Sequence, residues 1–404
     1  MKFAHIADCH LGAWRYPELQ QLGLKAFEIA IDKCIKEKVD FAIIAGDLFD
    51  VAMPGVEILK ETVSIFKKLK ENNIKCFVLA GSHDFSVTGK TFLDVLERAD
   101  LFKNVFIKNE NELEIFEDKE LNVSFAGIPG KKAGAEVTMF KNLKIKALPK
   151  DLFKIFVFHT LLTESKSKQL ASASSISITE LPDGFDYYAG GHLHLVMKHK
   201  KGNAFVAYPG PLFPTNFEEL ENLKHGRFFI VDVNEKTKEI KIREEEIKLK
   251  DIIVISCNVN SLNPAAATQK ILDEIEKHDT KDKIVMLKIY GVLDGRTSDI
   301  DFEKIKEKLQ HSYCYLKNTS GLTTKEIEIE IETEAEDVET IEQNIIAEYR
   351  KNEQSEFILL IDRLIAALNT EKYEGETKEK YETRLVSEFK EIVKEIEKEK
   401  KKEK

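Results

Sequence analysis

Five times within its first 194 residues the chain runs an apolar stretch straight into an Asp, a His or a glycine turn. The segments are FAHIADCH, IIAGDLFD, VLAGSHD, IFVFH and YYAGGHLH. Apolar runs of this length, bounded by turn residues, read as buried strands. Helical patterns lie between and after the first three: Leu22, Phe27, Ile31 and Ile35, then residues 56–69, then residues 91–99. Strands alternating with helices make βαβ units and a largely parallel sheet. In such a sheet the carboxyl ends of the strands open on one crevice. The five polar strand ends are therefore expected to converge.

Beyond residue 104 the pattern shifts. Residues 105–107, 122–128, 155–158, 185–190, 204–208 and 227–233 are all strand-like. They predict a second, partly antiparallel sheet stacked on the first. With helices outside, the result is an α/β fold of four layers, α/β/β/α, over residues 1–245. Residues 251–330 predict a small α+β domain, with strands at 252–257, 283–290 and 312–317 and helices at 265–277 and 302–310. A glutamate-heavy stretch beginning near residue 326 makes an acidic linker of residues 331–354. Residues 355–400 hold two helical patterns, 355–368 and 377–398.

The charge is unevenly placed. Residues 331–404 carry 21 acidic and 14 basic side chains, a net of −7 out of −10 for the whole chain. The first 330 residues are close to neutral and do not exclude a polyanionic ligand. With 8 arginines against 53 lysines, phosphate contacts would come from point charges more than from bidentate forks. The five cysteines form no CxxC pair, which argues against a disulfide framework or a zinc knuckle. No apolar run approaches a membrane span. The N-terminus reads as a strand with no cleavable apolar segment, so the chain is expected in the cytoplasm with no membrane partner.

The strand ends supply the chemistry. FAHIADCH gives Asp8 and His10, which at i and i+2 share one side of an extended chain and can address one ion together. IIAGDLFD gives Asp47, VLAGSHD gives Ser82, His83 and Asp84, IFVFH gives His159, and YYAGGHLH gives His192 and His194. Any one of these alone is most often a cap or a satisfied polar residue. Together they bring carboxylates and imidazoles to one crevice, a donor set suited to Mn, Fe or Zn. Gly89, Lys90 and Thr91 do not complete a phosphate loop, because position 84 is Asp where that motif needs glycine.

The run DxH, GDLFD, GSHD, H and GGHLH resembles the calcineurin-like metallophosphoesterases. More narrowly it is similar to the archaeal Mre-type double-strand-break repair nucleases, whose bacterial counterpart is SbcD. The resemblance covers roughly residues 1–210, and the rest fits by order and length. It implies a nuclease with two manganese ions per subunit. Asp8, His10 and His194 would hold one ion, His159 and His192 the second, and Asp47 would bridge them. Ser82 stands where the family has an asparagine ligand, a departure that weakens the second site. His83 matches the family's catalytic histidine, and Asp84 is placed to orient it. The expected chemistry is in-line attack on a phosphodiester by an activated water. His83 would stabilise the transition state or protonate the leaving 3′ oxygen.

Lys131 and Lys132, the group Lys198, Lys200 and Lys201, and Arg15 are candidates for contact with the DNA backbone, with Trp14 and Tyr16 beside Arg15 as candidate stacking surfaces. Residues 357–365 make a helix apolar nearly all round, which needs a cover. The resemblance implies docking of Phe357, Leu360, Ile361 and Leu364, with Leu385, Phe389 and Ile392, onto the coiled coil of an SMC-like ATPase of the Rad type (SbcC in bacteria). Residues 56–69 and 91–96 are candidates for the family's homodimer contact, and core packing reads them equally well. The resemblance thus implies a manganese-dependent nuclease with 3′ to 5′ exonuclease and single-strand or hairpin endonuclease activity. The alternatives are a phosphoesterase acting on nucleotides or phosphoproteins, and a DNA-tethering scaffold with a weakened metal site.

Overall fold

The computed structural model describes residues 1–324, apart from breaks at 87–88, 107, 110–111, 142, 146 and 167–171, together with residues 380–387, 389–390 and 392. Met1–Thr324 forms one compact unit and Lys325–Lys404 a second. In chain order the strands and helices of the first unit begin with β1 (Lys2–Ile6), α1 (Pro17–Glu37), β2 (Phe41–Ala45), α2 (Val56–Glu71), β3 (Lys75–Leu79), α3 (Leu93–Arg98) and β4 (Lys103–Asn104). There follow β5 (Lys108–Asn109), β6 (Glu112–Leu113), β7 (Phe116–Asp118), β8 (Val123–Ile128), α4 (Val137–Lys141), β9 (Lys144–Ile145), β10 (Phe153–His159) and β11 (Tyr187–Gly191). Next come β12 (Met197–Lys201), β13 (Ala204–Tyr208), α5 (Phe217–Leu223), β14 (Gly226–Val233) and β15 (Ile240–Ile247). The last are β16 (Ile252–Asn258), α6 (Pro264–Glu276), β17 (Ile284–Leu293), α7 (Phe302–Lys308) and β18 (Cys314–Thr324).

Two six-stranded sheets dominate, ordered β15-β14-β1-β2-β3-β4 and β12-β13-β11-β10-β8-β7. Each has a run of four parallel strands, β1 to β4 in one and β8, β10, β11 and β13 in the other. Antiparallel strands close both edges of the second sheet and one edge of the first, whose other edge is β4. Parallel strands buried on both faces must be apolar nearly throughout, and the five residues of β2, FAIIA, are all buried. Alternate side chains divide between two cores. Phe3, Phe41, Ile43 and Phe77 meet Phe125, Ile155, Val157 and Tyr187 between the sheets. Ala4, Ile6, Ala42, Ile44 and Val78 face the helices. There Leu19, Leu22, Ala26, Phe27, Ala30, Ile31 and Cys34 line one stripe of α1, and Phe27 meets Phe66 of α2 at 5.3 Å between ring centroids. Truncating a buried phenylalanine such as Phe41 removes contacts from both sheets and costs about 3–5 kcal/mol.

The expected layers are present, with one asymmetry. The outer face of the second sheet is covered, among the described residues, by the five-residue α4 and short 3-10 turns rather than by long helices. Of the strand expected at 105–107, residues 105 and 106 are not in one and residue 107 lies outside the described residues: pairing to β3 stops at β4, and Val105 instead donates its amide to Val78 O at 3.0 Å. The small α+β region forms its own sheet, β16-β17-β18. One face packs on α6 and α7, while Ile284, Met286, Cys314 and Leu316 join the core that holds α1. In the second unit, residues 380–387 are helical, within the expected helix 377–398. The acidic linker and residues 355–368 lie outside the described residues. No helix among the described residues is long and apolar enough to cross a membrane.

Candidate metal centre and its cleft

The polar residues sit where parallel strands end. Asp8 and His10 follow β1, Asp47 follows β2, Ser82 to Asp84 follow β3, His159 closes β10, and His192 and His194 follow β11. Asp8, His10 and His194 form one group of potential ligands, and Asp47, His159 and His192 another, with ligand atoms within 4.8 Å of each other in each group. His10 Nε2 lies 3.6 Å and His159 Nε2 3.0 Å from Asp47 Oδ2, so that one carboxylate stands between the two groups.

The reason for convergence differs from the one read in the sequence. Alternation along a strand does not bring Asp8 and His10 together. β1 ends at Ile6, and both residues turn back in the left-handed region, with φ of 50° and 42°. Asp47 (φ 49°) and His192 (φ 89°) do the same. His192 and His194 fall in different groups, the division that the resemblance implies. Non-glycine residues held at positive φ cost of order 1–3 kcal/mol each and cluster at functional sites. Gly46 shows how tight the turn is. Its φ is +89°, and a Cβ there would stand 1.9 Å from His159 Nδ1.

The tautomers are set by the outer nitrogens. His159 Nδ1 meets Ala45 O at 2.9 Å, and a carbonyl only accepts, so Nδ1 carries the proton. His10 Nδ1 meets Asp50 Oδ1 at 3.2 Å, and His194 Nδ1 meets Glu219 Oε1 at 2.8 Å. Each ring thereby turns its Nε2 inward. His10 Nε2 and His194 Nε2 are 3.1 Å apart, both presenting lone pairs. Asp8 Oδ2 is buried with no hydrogen-bond donor, and His159 Nε2 faces Asp47 Oδ2 without hydrogen-bond geometry. Facing acceptors need a cation between them, a proton or a metal ion, and imidazole and carboxylate donors suit a divalent metal. The residues fit two metal ions.

The charges agree with this crowding. Burial works to lower the His159 pKa, but the adjacent Asp47 and Asp8 carboxylates outweigh it and lift it to about 10. Asp47 is held well below the usual carboxylate range by His159, His10 and His83, against the effect of its burial. Glu219 is likewise lowered to about 2, its burial outweighed by His194 and the Thr215 contacts.

Asp84 does not orient His83. Its buried carboxylate accepts from the backbone amides of Leu48 at 3.2 Å, Phe49 at 3.0 Å and Gly81 at 2.8 Å, tying the loop after β2 to the loop after β3. Burial and the Asp47 charge push Asp84 up to about 7 in spite of these donors. His83 is held instead by Asp50, whose carbonyl accepts Nδ1–H at 2.8 Å, and its own amide donates to Asp47 Oδ1 at 2.8 Å. Asp50 and Glu219 were missed in the sequence. Asp50 stands inside the GDLFD motif, and nothing in the residues near Glu219 marks it.

An open cleft of about 670 Å³ lies beside the metal residues, lined among others by Asp50, Ser82, His83, His192, Lys131 and Lys132. Lys198, Lys200 and Lys201 do not line it. They lie on edge strand β12, where Lys198 pairs with Glu244 at 2.6 Å, Lys201 with Asp183 at 3.0 Å, and Lys200 covers the Phe205 ring. Arg15 and Tyr16 are exposed at the start of α1. Trp14 is not free to stack on a base: it is half-buried against the core and donates Nε1–H to Pro214 O at 2.9 Å. In the second unit Leu385 and Ile392 are half-buried and Phe389 is exposed, while Phe357, Leu360, Ile361 and Leu364 lie outside the described residues.

Residues 1–196 match the family described as calcineurin-like phosphoesterase. That segment carries the family's domain, and the chain is a metal-dependent phosphodiesterase. Within it the chain is similar to archaeal proteins named DNA double-strand break repair protein Mre11. That of Archaeoglobus fulgidus is 26% identical over 338 residues, 77% of this chain and 76% of the relative. That of Sulfolobus acidocaldarius is 25% identical over 360 residues, 87% and 90% respectively. That of Saccharolobus solfataricus is 33% identical over 207 residues, 48% of this chain and 49% of the relative.

Proposed function

We propose that this chain is the nuclease of a DNA double-strand-break repair system. It would cut duplex ends 3′ to 5′ and single strands or hairpins internally. The observation that carries this reading is the pair of ligand groups, with Asp47 between them, beside an open cleft lined by Lys131 and Lys132. Two manganese ions, held by Asp8, His10 and His194 and by His159 and His192 with Asp47 between, would neutralise phosphoryl oxygens and acidify a water for attack. The lysines at the rim hold the phosphate backbone without reading sequence. His83 projects half-exposed into the cleft, its Nδ1 fixed on Asp50, which leaves Nε2 to protonate the departing 3′ oxygen.

Ser82 lines the same cleft near His192. A hydroxyl is shorter and weaker as a ligand than an amide oxygen, so the second ion is the more loosely held. Val56 of α2 and Val95 of α3 are exposed apolar side chains and support a homodimer through those helices. Exposed Phe389 supports docking of the C-terminal helices on an SMC-like ATPase of the Rad type. Location with the nucleoid in the cytoplasm follows from this reading.

The test is cleavage of a labelled duplex and a labelled hairpin by the full chain with Mn, Mg or EDTA, beside His83→Ala. Expected is Mn-dependent cutting that EDTA and His83→Ala each abolish. Hydrolysis of a nucleotide or phosphopeptide with no DNA cut would replace the nuclease by another phosphoesterase. DNA binding without turnover under any metal would favour a tethering scaffold.

A further inference from the structure

We propose that Asp50 is a positioning residue that locks His10 of the first ligand group with its side chain and His83 with its main chain. The inference rests on reading Asp8, His10 and His194 as a metal site. Asp50 lies in the turn after β2, and its amide donates to Leu11 O at 3.2 Å, which ties that turn to the loop carrying His10. Its Oδ1 takes the His10 Nδ1 proton at 3.2 Å. Its carbonyl takes the His83 Nδ1 proton at 2.8 Å. The two rings meet edge to face, 4.8 Å between centroids.

The two contacts have different fates under mutation. The carbonyl survives any substitution, so His83 keeps its hydrogen bond, though it loses the Asp50 carboxylate 3.8 Å from Nδ1. The carboxylate does not survive. Without it His10 Nδ1 loses its acceptor, the ring is released between its two tautomers, and Nε2 is no longer committed to the side of His194 and Asp47. Outer carboxylates of this kind typically set metal affinity within a range of about 10–100-fold. Ligation is the competing role, since His10, Asp50 and His83 also bring potential ligand atoms within 4.8 Å of one another. The 2.8 Å contact uses His83 Nδ1 as a donor to a carbonyl and leaves only Nε2 for such a role, which the count of bound ions decides.

The experiment is calorimetric titration of the full chain with Mn2+, comparing wild type, Asp50→Ala and Asp50→Asn, with circular dichroism of the metal-free proteins as the folding control. Expected is an unchanged count of two ions, with one bound about 10–100-fold more weakly in Asp50→Ala. Asp50→Asn, which keeps a neutral acceptor, falls between that variant and wild type. It also carries the test if Asp50→Ala does not fold. Wild-type affinity for both ions in Asp50→Ala would overturn the proposal. So would three ions in wild type and two in Asp50→Ala, which would make Asp50 a ligand. If wild type binds its ions and cuts no phosphodiester, the nuclease reading fails while the affinity comparison still decides the role of Asp50.

Discussion

Loading the Asp47, His159 and His192 group with a divalent ion should expel a proton, and affinity there should climb with pH. His159 Nδ1 is committed to Ala45 O, so Nε2 is the atom open to a proton or a metal. It lies 3.0 Å from Asp47 Oδ2. Burial pulls this imidazole down, but the Asp47 and Asp8 charges prevail and hold it protonated up to about pH 10. At pH 8 the metal-free ring is therefore an imidazolium, and the ion must displace its proton. Each proton released raises log affinity by one per pH unit. Between pH 7 and 9 the gain is about 100-fold, levelling near pH 10. Calorimetry in buffers of different ionisation enthalpy counts the protons, and His159→Gln should reduce the count by one. The same shift fixes the behaviour of the metal-free protein. The folded-state pKa lies above the unfolded one, so the stability it contributes is full below about pH 6.5 and is lost as pH rises through about 10. An affinity flat from pH 7 to 9, with no proton released, would refute a proton held between His159 and Asp47 in the metal-free site.

Four further outcomes follow from the same geometry. Asp84→Ala strips the acceptor from three buried amides, those of Leu48, Phe49 and Gly81, and should cost about 2–4 kcal/mol in denaturant titrations, net of the relief of a reluctant charge. Gly46→Ala puts a methyl 1.9 Å from His159 Nδ1 at a φ of +89°, so it should destabilise the fold by roughly 3 kcal/mol and weaken the second metal ion, read by melting and titration. Ser82→Asn should tighten that second ion and raise turnover, whereas an unchanged affinity would show that Ser82 stands clear of it. Lys131→Glu with Lys132→Glu should weaken duplex binding at every sequence and flatten its dependence on salt by about two unit slopes; binding unchanged would remove the cleft rim from the DNA path.

Much of this protein is written locally. FAIIA is apolar throughout because a central parallel strand is buried on both faces, and the period of α1 is set by one buried stripe. Such signals depend on neighbours along the chain, so strand ends, helices and the residue types at the crevice could be read directly. Asp8, His10, Asp47, His159, His192 and His194 belong to that legible part. The way they meet does not. The alternation argument for Asp8 with His10 failed because the pair lies past the end of its strand, where φ turns positive and the period of two no longer applies.

The rest was decided by contacts between segments far apart in sequence. Asp84 serves the amides of residues 48, 49 and 81 rather than its neighbour His83, because burial leaves those donors no water to use. Lys198 and Lys201 are paired by Glu244 and Asp183, acids that no local pattern links to them. Trp14 is claimed by Pro214. Glu219 reaches His194 across 25 residues to set its tautomer, and Asp50 joins His10 to His83. The sequence by itself determined which residue types arrive at one end of two stacked sheets, since that follows from strand order and polarity. Only the tertiary structure decided which atom faces which, because hydrogen bonds and charges act over a few ångströms of space and are indifferent to distance along the chain.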